Sequence, residues 1–208
     1  MTLRFAYGIE GRWVVSEGST AYKPKDIRVS YEEYLQMTEA SDNSYEYIDG
    51  EIILNASPLY PHQKAVRDIF VAFSLWFEDT ECEPLDSPFD VTLFRLGDKE
   101  KVNVVQPDIL VLCDHDNIDE KGKYSGTPVL VVEVLSESTR NKDLIKKLSI
   151  YMESGVQEYW AVNTDSSEIY VYIFANNSIK NMLSFKGDEN AKSVIYPGLS
   201  VDLKKVFR

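Results

Sequence analysis

Along this chain the apolar positions change period several times, and each change predicts an element. Residues 1–29 mix short alternations with Gly11, Gly18 and Pro24, which predicts an irregular arm with one strand around residues 12–15. At Ser30-Tyr31-Glu32-Glu33 a hydroxyl stands three positions before an acid, the spacing of a capping box. Tyr34, Leu35 and Met37 then supply the apolar face of a short helix. Residues 45–54 read as two alternating runs around Asp49-Gly50, a pair that suits the primed turn of a tight hairpin. Over residues 61–77, Ala65, Ile69, Ala72, Phe73, Trp76 and Phe77 recur at helical spacing.

Beyond that helix the pattern turns to strands at 89–94, 104–112 and 129–135, with a polar loop at 114–127 that predicts no regular structure. Residues 140–154 predict a helix closed by Gly155, and 158–162 the next strand. A meander at 169–174 and 182–185 follows, then a Pro-Gly turn and a short terminal helix within 194–207. The stretch 129–162 thus reads strand, helix, strand; if both strands join one sheet they are parallel. The expected class is α/β, drawn toward α+β by the meander: a mixed sheet flanked by helices. One domain over residues 30–208 follows the arm at 1–29.

Bulk properties narrow the options. Hydrophobic residues make up 44% of the chain, enough for a sizeable core. No apolar run approaches the ~18 residues of a membrane-spanning helix, so no membrane partner is expected. The first residues lack the basic, apolar and small-residue regions of a signal peptide. Cys82 and Cys113 suggest neither a disulfide framework nor a metal spacing, and a cytoplasmic location is the expectation. A net charge of −12 argues against a standing, high-affinity nucleic-acid binder. It leaves open an enzyme that meets nucleic acid through a local basic rim and bound metal ions. Lys142, Lys146 and Lys147 cluster on one segment, which alone reads as a solvated helix face.

The candidate chemistry lies where acids interrupt apolar strands. Asp108 stands within Val104-Val105-Gln106-Pro107-Asp108-Ile109-Leu110-Val111-Leu112, and Glu133 within Val129-Leu130-Val131-Val132-Glu133-Val134-Leu135. A buried carboxylate costs several kcal/mol unless compensated. Alternation gives Asp108 the face of Gln106 and Leu110, and Glu133 that of Val131 and Leu135. If the strands pair with the acids opposed, their β-carbons lie roughly 5 Å apart. Two bare carboxylates at ~4 Å repel by about 4 kcal/mol at an effective dielectric near 20. Either one acid keeps a proton, as in a paired-carboxylate hydrolase acting on sugars, or a cation sits between them. All-oxygen ligation favours Mg²⁺ or Mn²⁺ over zinc.

On the helix after Glu133, Leu144, Leu148, Tyr151 and Met152 form one apolar stripe. Lys147 lies about 60° from Leu144, at the stripe's edge, and Lys146 points nearly away. Lys147 alone can lean over the sheet to hold a phosphate or orient a water. The alternative is an ordinary pair with Asp143 one turn earlier.

These residues also carry a resemblance. Gln106-Pro107-Asp108, then Val132-Glu133-Val134-Leu135-Ser136, then Ser138-Thr139, Asp143, Lys147 and Tyr151 resemble the Uma-two family. Its members are restriction-endonuclease-like proteins of the PD-(D/E)XK nuclease superfamily. Further matching stretches are Tyr45 through Ile52, His62-Gln63, Gly155 through Trp160, and Tyr196-Pro197-Gly198-Leu199. The similarity runs from about Ser30 to the C-terminus. It implies a restriction-endonuclease-like core in which Asp108 and Glu133 bind the metal and Glu46 is an additional N-terminal acid that binds a second ion or accepts a proton. The superfamily's lysine belongs two residues after the second acid, where this chain has Leu135; Lys147 is the implied substitute.

Together these readings predict a Mg²⁺- or Mn²⁺-dependent nuclease or phosphodiesterase. Glu46, Asp108, Glu133 and Lys147 are its catalytic set, nucleic acid, DNA first, its substrate, and a homodimer its expected state. The rival reading is a nuclease-like scaffold that binds a partner without cutting. Other polar residues read as structural: His62 as a first-turn cap or surface group, Ser138 and Thr139 as caps, Asp143 as a helix N-terminal acid, Tyr159-Trp160 as core. Gln106 either orients a water or satisfies a backbone group. His62 and His115 lack a nucleophile-elbow context, which disfavours a Ser-His hydrolase, and no Gly-rich phosphate loop is present.

Overall fold

The computed structural model describes residues 5–7, 13–15, 28–39, 41, 43–55, 57–135 and 142–208. In the arm, β1 (Phe5–Tyr7) pairs antiparallel with β2 (Trp13–Val15), one strand more than the pattern predicted. The capping box closes as expected. Ser30 N donates to Glu33 Oε2 at 2.7 Å and Glu33 N to Ser30 Oγ at 3.2 Å, opening α1 (Tyr31–Glu39). The Asp49-Gly50 turn joins β3 (Tyr45–Ile48) to β4 (Glu51–Leu54), with Ile48 opposite Glu51. Both turn residues have positive φ, 50° and 85°, as a primed turn demands. Next, α2 (Tyr60–Phe77) takes Pro61 in its first turn and buries Ala65, Val66, Ile69, Phe73 and Phe77.

The chain continues through β5 (Glu83–Asp86), β6 (Val91–Phe94), β7 (Val102–Val105), β8 (Ile109–Leu112), β9 (Leu130–Leu135) and α3 (Lys142–Glu153). It ends with β10 (Glu158–Asn163), β11 (Glu168–Ala175), β12 (Ser178–Lys186), β13 (Asn190–Lys192), β14 (Ser200–Asp202) and α4 (Leu203–Val206). Six strands form one sheet in the order β12-β11-β10-β9-β8-β5. Its β9·β10 pair is parallel, as the strand–helix–strand unit requires, and its other pairs are antiparallel. A second, antiparallel sheet runs β4-β3-β7-β6, and β13 pairs with β14. This is the mixed sheet flanked by helices that the pattern predicted. No helix among the described residues is long and apolar enough to cross a membrane.

Three expectations need correction. The single strand at 104–112 is two strands, β7 and β8, in different sheets. Pro107 has no N–H to give a ladder, so the apolar run turns a corner at Gln106-Pro107-Asp108. Cys82 and Cys113 form a disulfide, although 31 positions separate them. The unforeseen β5 pairs with β8, setting Glu83 opposite Leu112 and the two cysteines just beyond. The loop at 114–127 is not featureless either. It folds over Tyr124, which is fully buried and donates its hydroxyl to Asp114 Oδ1 at 2.6 Å. The caps expected at Ser138 and Thr139, and the side chains of Asp143 and Leu144, lie outside the described residues.

Each face of the six-stranded sheet carries a core. On one, Ile109, Val111, Leu130, Val132 and Trp160 pack against Ala65, Ile69 and Phe73 of α2. On the other, Leu110, Val131, Leu135, Tyr159 and Ala161 pack against Ile150 and Tyr151 of α3. Ile48, Val91, Leu93 and Val105 of the second sheet close this side. The candidate residues converge where the second sheet, α3 and the β8–β9 end meet.

Candidate active site

The β8·β9 ladder ends with Ile109 opposite Val132, and one further step sets Asp108 opposite Glu133. Glu133 faces α3, as alternation required. Asp108 stands just past the ladder, at the proline corner, and its carboxylate takes over a ladder bond: Val134 N donates to Oδ2 at 2.7 Å. His62 Nε2, from the first turn of α2, lies 3.3 Å from the same oxygen. Glu133 is buried in mid-strand, and its Oε1 accepts from Lys147 Nζ at 2.9 Å and Tyr151 OH at 2.5 Å. Each carboxylate is thus held by one oxygen. Among the described residues, no hydrogen bond reaches Asp108 Oδ1 or Glu133 Oε2.

Glu46 arrives from the other sheet. It is buried on β3, and Lys147 Nζ lies 2.8 Å from its Oε1, which also accepts from Gln106 N at 2.8 Å. Lys147 therefore spans two acids from two sheets. The hairpin carrying Glu46 is fastened to α3 by further charges. Lys146 Nζ lies 2.7 Å from Glu51 Oε2, and Arg95 bridges Asp49 at 2.8 Å and Glu153 at 3.0 Å. All four predicted residues meet here: Lys147 touches Glu46 and Glu133, and the strand register adds Asp108. Leu135, in the place of the superfamily's lysine, is buried core.

The electrostatics follow from burial and from an excess of acids. Burial pushes the Glu133 carboxyl up to about 7; the charges of Asp108 and Glu46 add to this, while Lys147 and the Tyr151 hydroxyl pull back. Burial works against the Lys147 ammonium, but Glu133 and Glu46 outweigh it and hold its pKa above the ordinary value. For His62, burial lowers the pKa, and Asp108, Glu133 and the Val134 backbone more than reverse it, leaving a net rise. Burial and the neighbouring acids raise the Tyr151 phenol far above its usual range, so it remains a donor.

Among the described residues, no group of three or more His, Cys, Asp and Glu side chains is arranged to hold a metal ion. A hard cation asks for less: Mg²⁺ keeps several waters and is held by one or two carboxylates plus substrate oxygens. Asp108 and Glu133, each with one oxygen unclaimed by the described residues, fit that demand, and a cation would relieve the repulsion that adds to the effect of burial on Glu133.

Two contributors were read from sequence as structural. His62 was expected to cap or to lie on the surface; it reaches Asp108 instead. Tyr151 belongs to the apolar stripe and to the stretches that carry the resemblance, neither of which gave its hydroxyl a role. Its signal was present, since a buried tyrosine needs a partner for its hydroxyl and this one sits one turn from Lys147. The Gln106 side chain bonds other side chains rather than a backbone group, while its own backbone N–H is satisfied by Glu46. Its side chain accepts from Ser44 and Asn55 and donates to Asp90 at 2.6 Å.

Fold and site together define a restriction-endonuclease-like protein with a cluster of acids around a lysine. Residues 31–204 match the family model Uma2, described as "Putative restriction endonuclease", and the chain belongs to that family. It is similar to the uncharacterized protein slr1290 of Synechocystis sp., 30% identical over 185 residues, covering 83% of this chain and 94% of that one. A second protein of that organism, the uncharacterized sll1609, is 28% identical over 133 residues, 63% of this chain and 72% of its own. The fold matches a crystal structure from Anabaena variabilis ATCC 29413 described as "a putative nuclease belonging to DUF820". The TM-score is 0.70 at 18% identity, over 86% of this chain and 97% of the other.

Proposed function

We propose that this protein is a metal-dependent endonuclease or phosphodiesterase that hydrolyses phosphodiester bonds in nucleic acid, DNA first. One observation carries the reading: Asp108, one step before β8, stands by Glu133 of β9, each with one oxygen tied by the protein and the other without a described partner. These two would hold Mg²⁺ or Mn²⁺. When bound, such an ion supplies an acidified water and offsets charge on the phosphate.

The chain's own residues do the rest. Lys147 brings a permanent positive charge to the acids, where it stabilises a pentavalent phosphate or orients the attacking water. Glu46 fixes that amine through Oε1, and its second oxygen, with no partner among the described residues, would take a proton or join a second ion. Val134 N–H and His62 set the Asp108 carboxylate. The net charge of −12 makes the metal the principal attraction for a polyanion. A homodimer would set two such sites against the two strands of a duplex, and sedimentation tests for it.

A plasmid-nicking assay decides the reading. Wild type should nick with Mg²⁺ and stop with a chelator, and Glu133→Gln should abolish nicking without unfolding the protein. Nicking by Glu133→Gln at the wild-type rate would end the assignment. Two observations favour the second reading, a scaffold that does not cut: Leu135 fills the usual lysine position, and Lys147 is already engaged by two acids. That reading expects no Mg²⁺ binding, and partner binding unchanged in Asp108→Ala.

A further inference from the structure

Two tyrosines lie side by side beneath the acids, and they use their hydroxyls differently. Tyr151 of α3 and Tyr159 of β10 are both fully buried, with ring centroids 5.4 Å apart. Among the described residues the Tyr159 hydroxyl has no hydrogen-bond partner. The Tyr151 hydroxyl donates to Glu133 Oε1 at 2.5 Å. Packing alone would be served by phenylalanine at either position. Tyr151 also stands four residues after Lys147, so one face of α3 delivers two donors to the same carboxylate oxygen.

That arrangement has a geometric effect. The terminal torsion of a glutamate is broad and nearly two-fold, so a carboxylate held by one donor can turn and exchange its oxygens. Two donors converging on Oε1 remove that freedom. We infer that Tyr151 is a positioning residue: with Lys147 it pins Oε1 of Glu133 and leaves Oε2 as the oxygen offered to a hard divalent cation. Partners of this kind, behind a ligating group, set both its orientation and its affinity. The role rests on the metal-dependent reading above and adds to it a residue that touches neither ion nor substrate.

The test is a calorimetric Mn²⁺ titration of the full chain as wild type, Tyr151→Phe and Tyr159→Phe, with a thermal melt of each. Tyr151→Phe should fold normally and bind Mn²⁺ about tenfold more weakly, the low end of the effect for such partners. Tyr159→Phe should bind like wild type. Equal Mn²⁺ affinity in wild type and Tyr151→Phe overturns the positioning role alone. So does an equal loss in both variants, which would make the effect one of general packing. A wild type that takes up no Mn²⁺ overturns the metal-dependent reading, and this role with it.

Discussion

Glu133 and Glu158 pose the same physical problem and receive different answers. Both are buried on the adjacent, parallel strands β9 and β10, yet they face opposite sides of the sheet. Glu158 is held on both oxygens by neutral donors. Its Oε1 accepts from Trp160 Nε1 at 2.7 Å, and its Oε2 from Val194 N at 2.8 Å and Ile195 N at 3.1 Å. Among the described residues no other carboxylate bonds or pairs with it, and its work is to fasten the loop before β14 to the core. Glu133 takes both its donors on one oxygen, one of them a cation, and has two acids nearby that raise its pKa. A buried acid with donors on both oxygens belongs to the architecture; one left half-answered beside further acids belongs to chemistry.

The sharpest way to break this contrast is to remove the cation. Lys147→Met leaves Glu46 and Glu133 buried without their shared partner, and should cost about 3–5 kcal/mol in urea denaturation. A loss below 1 kcal/mol would mean that the acids share protons rather than the lysine.

Next in size is the response of Glu133 to pH. Its pKa rises from an ordinary 4.5 to about 7 on folding. Between those values the folded chain still holds a proton that the unfolded chain has lost, so stability falls as pH rises and stays reduced above 7. Glu133→Gln cannot lose that proton. Its stability relative to wild type should therefore grow by on the order of 3 kcal/mol from pH 4.5 to pH 8, read by denaturation at each pH. A constant difference across that range would put the Glu133 pKa at its ordinary value.

The smallest effect falls on the other face. Glu158→Gln replaces an acceptor oxygen with a donor and orphans at least one of its three N–H partners, costing about 2 kcal/mol. It should leave nicking unchanged. A nicking defect as deep as that of Glu133→Gln would erase the distinction between the two faces.

What could be read in advance follows from how local each signal is. The Ser30-Glu33 box, the Asp49-Gly50 turn and the spacing along α2 depend on residues within a turn or two, and all three formed as expected. β5 depends on a partner strand far along the chain and contains Pro84 between acids, so alternation could not reveal it. Pro107 was a visible strand breaker, yet the apolar residues on both sides masked the corner. In the site, Asp108 and Glu133 stood out because acids interrupt apolar runs. Glu46, beside a turn, was pointed out mainly by resemblance. His62 had no local signal, since its partner is brought by the fold of β8 against α2. Glu158 passed for an ordinary strand opening because two of its donors lie beyond residue 190.

The corner at Gln106-Pro107-Asp108 has one more consequence. Its first residue hooks Glu46 through a main-chain amide, and its third supplies the carboxylate opposite Glu133, so three adjacent positions serve as a hinge pin common to both sheets. Inserting a single residue there would not merely displace one acid. It would throw both out of alignment together, as slipping one tooth on a gear shifts every wheel it drives.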